Sequence, residues 1–437
     1  MTHGKQLARE IFRDTLAALD IPRVMELKLT LSGSTLILDA AAIDLSACSS
    51  IFVVAIGKAA HRMAAGLRSF LPDSFKFRGA VAAPTKPEDP IPGLAYFVAG
   101  HPNPNEASWR AAEAILSLLR NADERSVVFF LLSGGGSALT ELPIVPGMTL
   151  EDLQMANHAL VTCGAPIEAM NTVRRHLSAV KGGRLALAAA RATKITLAVT
   201  DVPVGKEHAL ASGPTVPDPS TIADTIRIVD QYGLRRKFPD VLVRWLDERK
   251  MPETPKPGDT AFRNAHFQLL LGMHDLFHAA HHASEAHGYV TCCDNSTDDW
   301  PVADAADALL KKLGEWRAEN PGEHVALIAD GELSSPVTGK GLGGRNSAFV
   351  LSCIERIAGG KITVLSGGTD GMDGNSPAAG AVADGETLAR ASALGLDPAE
   401  AFRQSDAYTF FAKLGDAMLT GATGNNLRDL RILLAEP

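Results

Sequence analysis

Residues 127–142, VVFFLLSGGGSALTEL, run from a β-branched and aromatic stretch straight into Ser133-Gly134-Gly135-Gly136-Ser137. A glycine-rich turn between strand and helix lets the backbone approach an anion closely, and the N–H groups of the helix start hydrogen-bond it. The expected ligand is therefore a phosphate or a carboxylate. Lys58 follows the apolar run IFVVAI after a single glycine, Gly57, where an ammonium can neutralise phosphate charge. A helix start disfavours cations, which speaks against an incidental lysine there. Asp201 follows KITLAVT, a carboxylate placed to serve as a base for a hydroxyl or as a magnesium ligand. Arg345 and Asn346 come after a run of glycines, and arginine suits bidentate contact with phosphate oxygens. Thr369, Asp370 and Asp373 lie in the polar loop SGGTDGMDG. Arg174, Arg175, His176 and Lys181 crowd basic groups into one helix and its exit, either as an anion site or as a solvated helix face. The pair Gly182-Gly183 costs helix stability and marks a turn made for a reason.

Other chemistries fit less well. No GxxxxGK followed by Ser or Thr occurs, which removes the P-loop reading. Gly339, Gly341 and Gly344 match GxGxxG in spacing. However, no strong apolar strand precedes them, and no strand ending in an acid follows about 20 residues on. His274, His278, His281 and His282 have metal-competent helical spacing, but with no completing carboxylate or cysteine they read as a solvated face. Cys48, Cys163, Cys292, Cys293 and Cys353 form no CxxC pair, so neither a zinc ribbon nor a disulfide framework is expected.

These residues need elements to hold them. With 437 residues, 46% apolar and 21% charged, the chain has ordinary globular composition and two domains are expected. The net charge of −8 argues against nucleic acid as a partner. A charged N-terminus without an apolar signal core, and the lack of any long uncharged apolar run, predict a cytoplasmic protein without a membrane partner. Strand-like runs at 51–56, 80–83, 96–99, 127–132 and 195–199 alternate with helical stretches such as 106–119 and 171–180. An amphipathic helix precedes them at 5–19. The alternation predicts an α/β fold with a mainly parallel sheet, binding ligands at the carboxyl ends of its strands. Residues 251–259, MPETPKPGD, read as a linker, or else as a loop inside one domain. Beyond it a second α/β-like series has strands at 289–293, 325–329 and 362–365. The expected domains are thus 1–250 and 260–437.

Seven ordered segments resemble the glycerate 2-kinase family, whose C-terminal part is called the MOFRL domain. They are IGKAA (56–60), GHPNPNEAS (100–108), LLSGGGSAL (131–139), NTVRRHLSAVKGGRLA (171–186), ASGPTVPDPST (211–221), GKGLGGRN (339–346) and TDGMDGNSPAAGAVADG (369–385). The resemblance implies a Rossmann-like N-terminal domain and a smaller C-terminal α/β, MOFRL-type domain enclosing a cleft. It implies ATP-dependent phosphorylation of D-glycerate at the 2-hydroxyl, with ATP and Mg2+ as cofactors, by a monomer or homodimer. Lys58, Asp201 and Arg345 match positions proposed as catalytic in the family. Ser133, Gly134, Gly135, Gly136, Ser137, Arg174, Lys181, Asn346, Thr369, Asp370 and Asp373 are the expected nucleotide or substrate contacts; the metal ligands are left open. Two alternatives stand beside the kinase: a hydroxypyruvate reductase using NAD(P)H, and a catalytically silent sugar-acid-binding protein. The chain departs from the family where a Gly-Asp-Asp run is usual and Val204-Gly205-Lys206 stands instead. It departs again near the C-terminus, where 420–429 read TGATGNNLRD in place of a TGPTGTNVND-like segment.

Overall fold

Strand β4 (Ser126–Ser133) is buried at every position, and β1 (Ser50–Ile56) at all but its first. Continuous apolar runs of this kind belong to strands covered on both faces of a parallel sheet. The computed structural model, which describes residues 2–39, 41–200, 202, 205–425 and 427–437, pairs them at the centre of such a sheet. Its other strands are β2 (Phe77–Ala83), β3 (Leu94–Val98), β5 (Thr193–Val199) and β6 (Ala265–Leu271). Among the described residues the order is β3-β2-β1-β4-β5-β6, with every adjacent pair parallel. This is the doubly wound order, and the crevice outside the carboxyl ends of β1 and β4 is its ligand-binding position. Edge strand β3 has no fully buried residue, in keeping with its place.

Alternate residues of each strand face opposite sides. Phe52, Val54, Ile56, Val128, Phe130 and Leu132 form one core with Ala111, Ala112 and Ile115 of helix Glu106–Leu119. Helix Ala60–Phe70 packs on β1, β2 and β4 through buried Met63 and Leu67. Truncating Phe130 to alanine would cost about 3–5 kcal/mol. A separate helical core joins Val173 and Leu177 of helix Ile167–Leu177 to Ile228, Val229, Leu242 and Leu246.

The chain divides into compact units differently from the expected 1–250 and 260–437. Ile21–Leu271 form one unit, and the residues through Asp20 join Gly272–Pro437 in the other. The three prolines of 251–259 do not make a linker. Met251 and Thr254 are buried in the first unit, Thr254 Oγ1 donates to Asp218 Oδ2 at 3.0 Å, and Glu253 Oε1 lies 2.9 Å from His176 Nε2. The chain then continues into β6, which completes the parallel sheet.

In the second unit the strands are β7 (Val290–Asp294), β8 (Val325–Asp330), β9 (Ile362–Gly368), β10 (Gly380–Asp384), β11 (Ala417–Met418) and β12 (Asp429–Ala435). Their order among the described residues is β7-β8-β12-β9-β10-β11. Only β7 and β8 run parallel; the other pairs are antiparallel. Helix His3–Ala18 lies on β9, β10 and β12. The ring of Phe12 sits 2.9 Å from where a Cβ on Gly367 would be. Ser366-Gly367-Gly368 therefore resembles the Ser133 turn in letters only: it is strand, and its glycine makes room for Phe12. Buried Lys5 donates to Asp416 at 2.7 Å and lies 3.3 Å from Asp384, which fixes the helix to this unit. Among the described residues no helix is long and apolar enough to cross a membrane.

Candidate functional site

The carboxyl ends of β1 and β4 are stitched together by the residues expected to bind an anion. The backbone N–H of Lys58 donates to the carbonyl of Gly134 at 2.9 Å, and that of Ala59 donates to Ser133 Oγ at 3.0 Å. Gly57 holds φ 131°, and a Cβ there would fall 2.1 Å from Ser133 Oγ; only glycine permits this approach. Gly135, at φ 83°, turns the chain into the short helix Gly136–Leu139. A Cβ on it would meet the His101 ring at 3.1 Å and Lys58 Cγ at 3.4 Å. The bare face of Gly135 is thus flanked by an imidazole and the lysine stem.

Ser137 Oγ lies 2.8 Å from Ser212 Oγ, which brings in a second turn. Ala211, Ser212 and Gly213 take φ of 49°, 59° and 64° in succession. Two non-glycine residues in that region carry strain, which surrounding structure must hold. The Gly182 N–H donates to Ser212 O at 3.0 Å, and the Gly183 N–H to Gly213 O at 2.7 Å. The paired glycines flagged in the sequence serve as this brace.

The basic run divides by side chain. Lys181 is 1% exposed and paired with Glu141, and burial lowers its pKa. Its ammonium is engaged inside the protein. Arg175 Nε lies 2.8 Å from Asp218, and His176 sits between Thr172 O and Glu253, each at 2.9 Å. Arg174 is half-buried, donates to Asn171 Oδ1 at 3.4 Å, and burial lowers its pKa against the opposing pull of Glu141. Asp201 and Val204 lie outside the described residues. Lys206, which stands where the family usually has an acid, pairs with exposed Glu168 at 2.7 Å, a contact of small worth.

In the second unit, Arg345 opens helix Arg345–Ile357. Its Nε donates to Asp429 Oδ2 at 2.5 Å, and its terminal nitrogens reach Glu332 at 2.8 and 2.9 Å. Although burial opposes it, the two carboxylates raise its pKa further. Asp373 is 1% exposed and accepts the N–H groups of Asn346 and Ser347, both at 2.9 Å. Its carboxylate therefore occupies the helix start that a dinucleotide loop would offer to a pyrophosphate, and GKGLGGRN has no such site open. Asn346 is buried and accepts from Ser366 Oγ at 2.6 Å. Thr369 is buried, its Oγ1 taking the N–H groups of Leu427 and Arg428 at 2.8 and 3.2 Å. Asp370 is half-buried and accepts the Met372 N–H at 3.0 Å.

Among the described residues no group of three or more His, Cys, Asp or Glu stands placed to hold a metal ion. His281 and His282 instead face Glu285 at 3.1 and 3.7 Å. His101 was not singled out from the sequence. The signal was there: a titratable ring within a Gly/Pro/Asn loop immediately after a strand, at the sheet's ligand-binding end.

A doubly wound parallel sheet with a glycine loop and a lysine joined at its switch point places the chain among α/β proteins that bind small ligands at that position. A domain of unknown function (DUF4147) matches residues 7–247, and the MOFRL family matches residues 325–429. The chain is 34% identical over 385 residues to D-glycerate 2-kinase of Thermotoga maritima, covering 87% of this chain and 90% of that protein. A crystal structure of glycerate kinase from Thermotoga maritima, 32% identical, superposes with a TM-score of 0.85 over 99% of each chain. A relative from Agrobacterium vitis, 36% identical over 87% of this chain and 86% of its own length, bears a provisional hydroxypyruvate reductase name. The chain belongs to the glycerate 2-kinase family.

Proposed function

We propose that this chain phosphorylates D-glycerate at its 2-hydroxyl with ATP, giving 2-phosphoglycerate and ADP. One observation carries the reading: Lys58 and the Ser133 loop are hydrogen-bonded together at the switch point of the sheet. Phosphoryl transfer asks a protein mainly for positioning and charge neutralisation, and this arrangement offers both. In this reading Lys58 balances charge on the moving phosphoryl group and Asp201 orients the attacking hydroxyl, while a catalytic role for Arg345 rests on the family resemblance alone. The Ser133 loop and Arg174 bind either a nucleotide phosphate or the substrate carboxylate. Lys181, Asn346, Thr369 and Asp373 act behind the surface, holding the segments that present these groups.

Magnesium is the usual companion of ATP. Among the described residues no group of three or more His, Cys, Asp or Glu stands placed to hold it. The same reading takes the protein as a cytoplasmic monomer or homodimer. The reductase alternative is weakened by Asp373, which fills the helix start that the glycine motif would need.

The deciding experiment incubates purified protein with D-glycerate, ATP and magnesium and follows ADP, beside a parallel assay with hydroxypyruvate and NADH. Glycerate-dependent ADP release is expected. NADH oxidation without ADP release would overturn the kinase reading.

A further inference from the structure

We propose that His101 is a further catalytic residue, its imidazole accepting the proton of the attacking hydroxyl. The inference rests on the phosphoryl-transfer reading above and assigns the proton a destination.

The loop that carries His101 is held by everything except its histidine. It follows β3 at the carboxyl end of the sheet, where the Ala99 N–H donates to Ala83 O at 2.9 Å. Buried Ser108 accepts the N–H groups of both Gly100 and Asn105 on its hydroxyl, each at 3.1 Å. Asn105 in turn caps helix Glu106–Leu119 by accepting the Ser108 N–H at 3.0 Å. From the other side Gln154 donates to Pro104 O at 2.9 Å. Gly100, Pro104, Asn105 and Ser108 of the motif GHPNPNEAS thereby serve as scaffold. His101 is left over, an accessible ring with no hydrogen bond to either nitrogen among the described residues.

Its position gives the ring a use. The Cδ2–Nε2 edge lies against the bare face of Gly135, next to the Lys58 stem. A group bound on the glycine turn would meet the Lys58 stem and the His101 edge together. Partial burial and the Lys58 charge lower the ring's pKa, which favours its neutral, proton-accepting form. Lys58 is the charged group that acts on it. A neutral imidazole is a common general base for a hydroxyl proton.

The hydroxyl oxygen bonds to the terminal phosphorus of a nucleoside triphosphate while the bridging P–O bond breaks. The bond's electron pair leaves with the nucleoside diphosphate. The hydroxyl proton passes to the imidazole, which later releases it to water.

The test compares His101→Ala and His101→Gln with the unaltered protein, under saturating ATP, magnesium and varied D-glycerate. Both variants should lose about 100-fold or more in kcat. KM for glycerate should stay within a few-fold. The acid limb of the kcat/KM against pH profile, present in the unaltered protein, should disappear. Added imidazole should restore part of the activity of His101→Ala, in proportion to its free-base form. A variant that retains kcat within a few-fold and keeps the acid limb overturns the proposal, as does a folded His101→Ala protein that imidazole fails to rescue. Unaltered protein that releases no ADP overturns the phosphoryl-transfer reading itself, a result visible before any variant is made.

Discussion

The buried hydroxyl of Ser133 accepts the backbone N–H of Ala59 at 3.0 Å, so the strand that carries Lys58 is tied to the strand that carries the glycine loop. Ser133→Ala leaves that N–H inside the protein without its partner, at a cost of about 1–3 kcal/mol. The variant should melt at a lower temperature and also turn over at least severalfold more slowly, because Lys58 is seated by the next hydrogen bond along. Unchanged melting would show that the tie is not needed.

Two lysines of the same region should behave oppositely. Lys58 is partly exposed at the switch point, whereas Lys181 is enclosed with Glu141. Lys58→Ala should lower turnover by orders of magnitude while leaving the unfolding midpoint almost unmoved. Lys181→Met strands a buried carboxylate and should destabilise the fold by about 3–5 kcal/mol. Denaturant titrations of both variants, read beside their kcat, check the contrast. Equal stability losses would refute it.

Asp373 binds the start of helix Arg345–Ile357 from a distant loop, through two backbone N–H groups and the Ser347 hydroxyl. Asp373→Ala should cost about 2–3 kcal/mol, a lost cap together with lost charged hydrogen bonds. Hydrogen exchange should quicken first at Asn346 and Ser347. Protection there equal to that of the unaltered protein would mean that another group does the capping.

Stability should also depend on pH through Asp330. This carboxyl is fully enclosed, and burial raises it from 3.8 to about 6 despite Arg428 and Arg431 nearby. Between those values the folded state holds more protons than the unfolded one, so unfolding becomes easier as pH rises from about 4 to about 6 and then levels. The associated loss is on the order of 3 kcal/mol. Asp330→Asn should flatten that part of the stability profile and unfold later at pH 8. A variant profile that overlays the original would remove Asp330 as its origin.

Much of the first unit was readable because physics acts locally there. The apolar run 127–132 has no polar alternation, which marks a central parallel strand, and it is one. The glycine loop and Lys58 lay at strand ends, and a parallel sheet brings such ends together. What could not be read depended on contacts remote in the chain. Lys181 looked like a free cation until Glu141 came to face it from 40 positions away. Asp373 looked like a loop acid until the helix start at Ser347 was placed against it. The prolines of 251–259 read as a break, because nothing local reveals that Thr254 meets Asp218. The N-terminal helix went to the wrong unit for the same reason: its partners Asp384 and Asp416 lie almost at the other end of the chain. His101 was hidden differently, among residues whose structural duties outnumber its own.

Strand β12 (Asp429–Ala435) lies between β8 and β9, although it is the last strand in the chain. On a ribosome, β8 and β9 must therefore wait with their facing edges open until residues 429–435 emerge. A chain cut short before Asp429 would lose an interior strand of that sheet, not a fringe. Its half-built sheet would present two unpaired strand edges, each a template for aggregation.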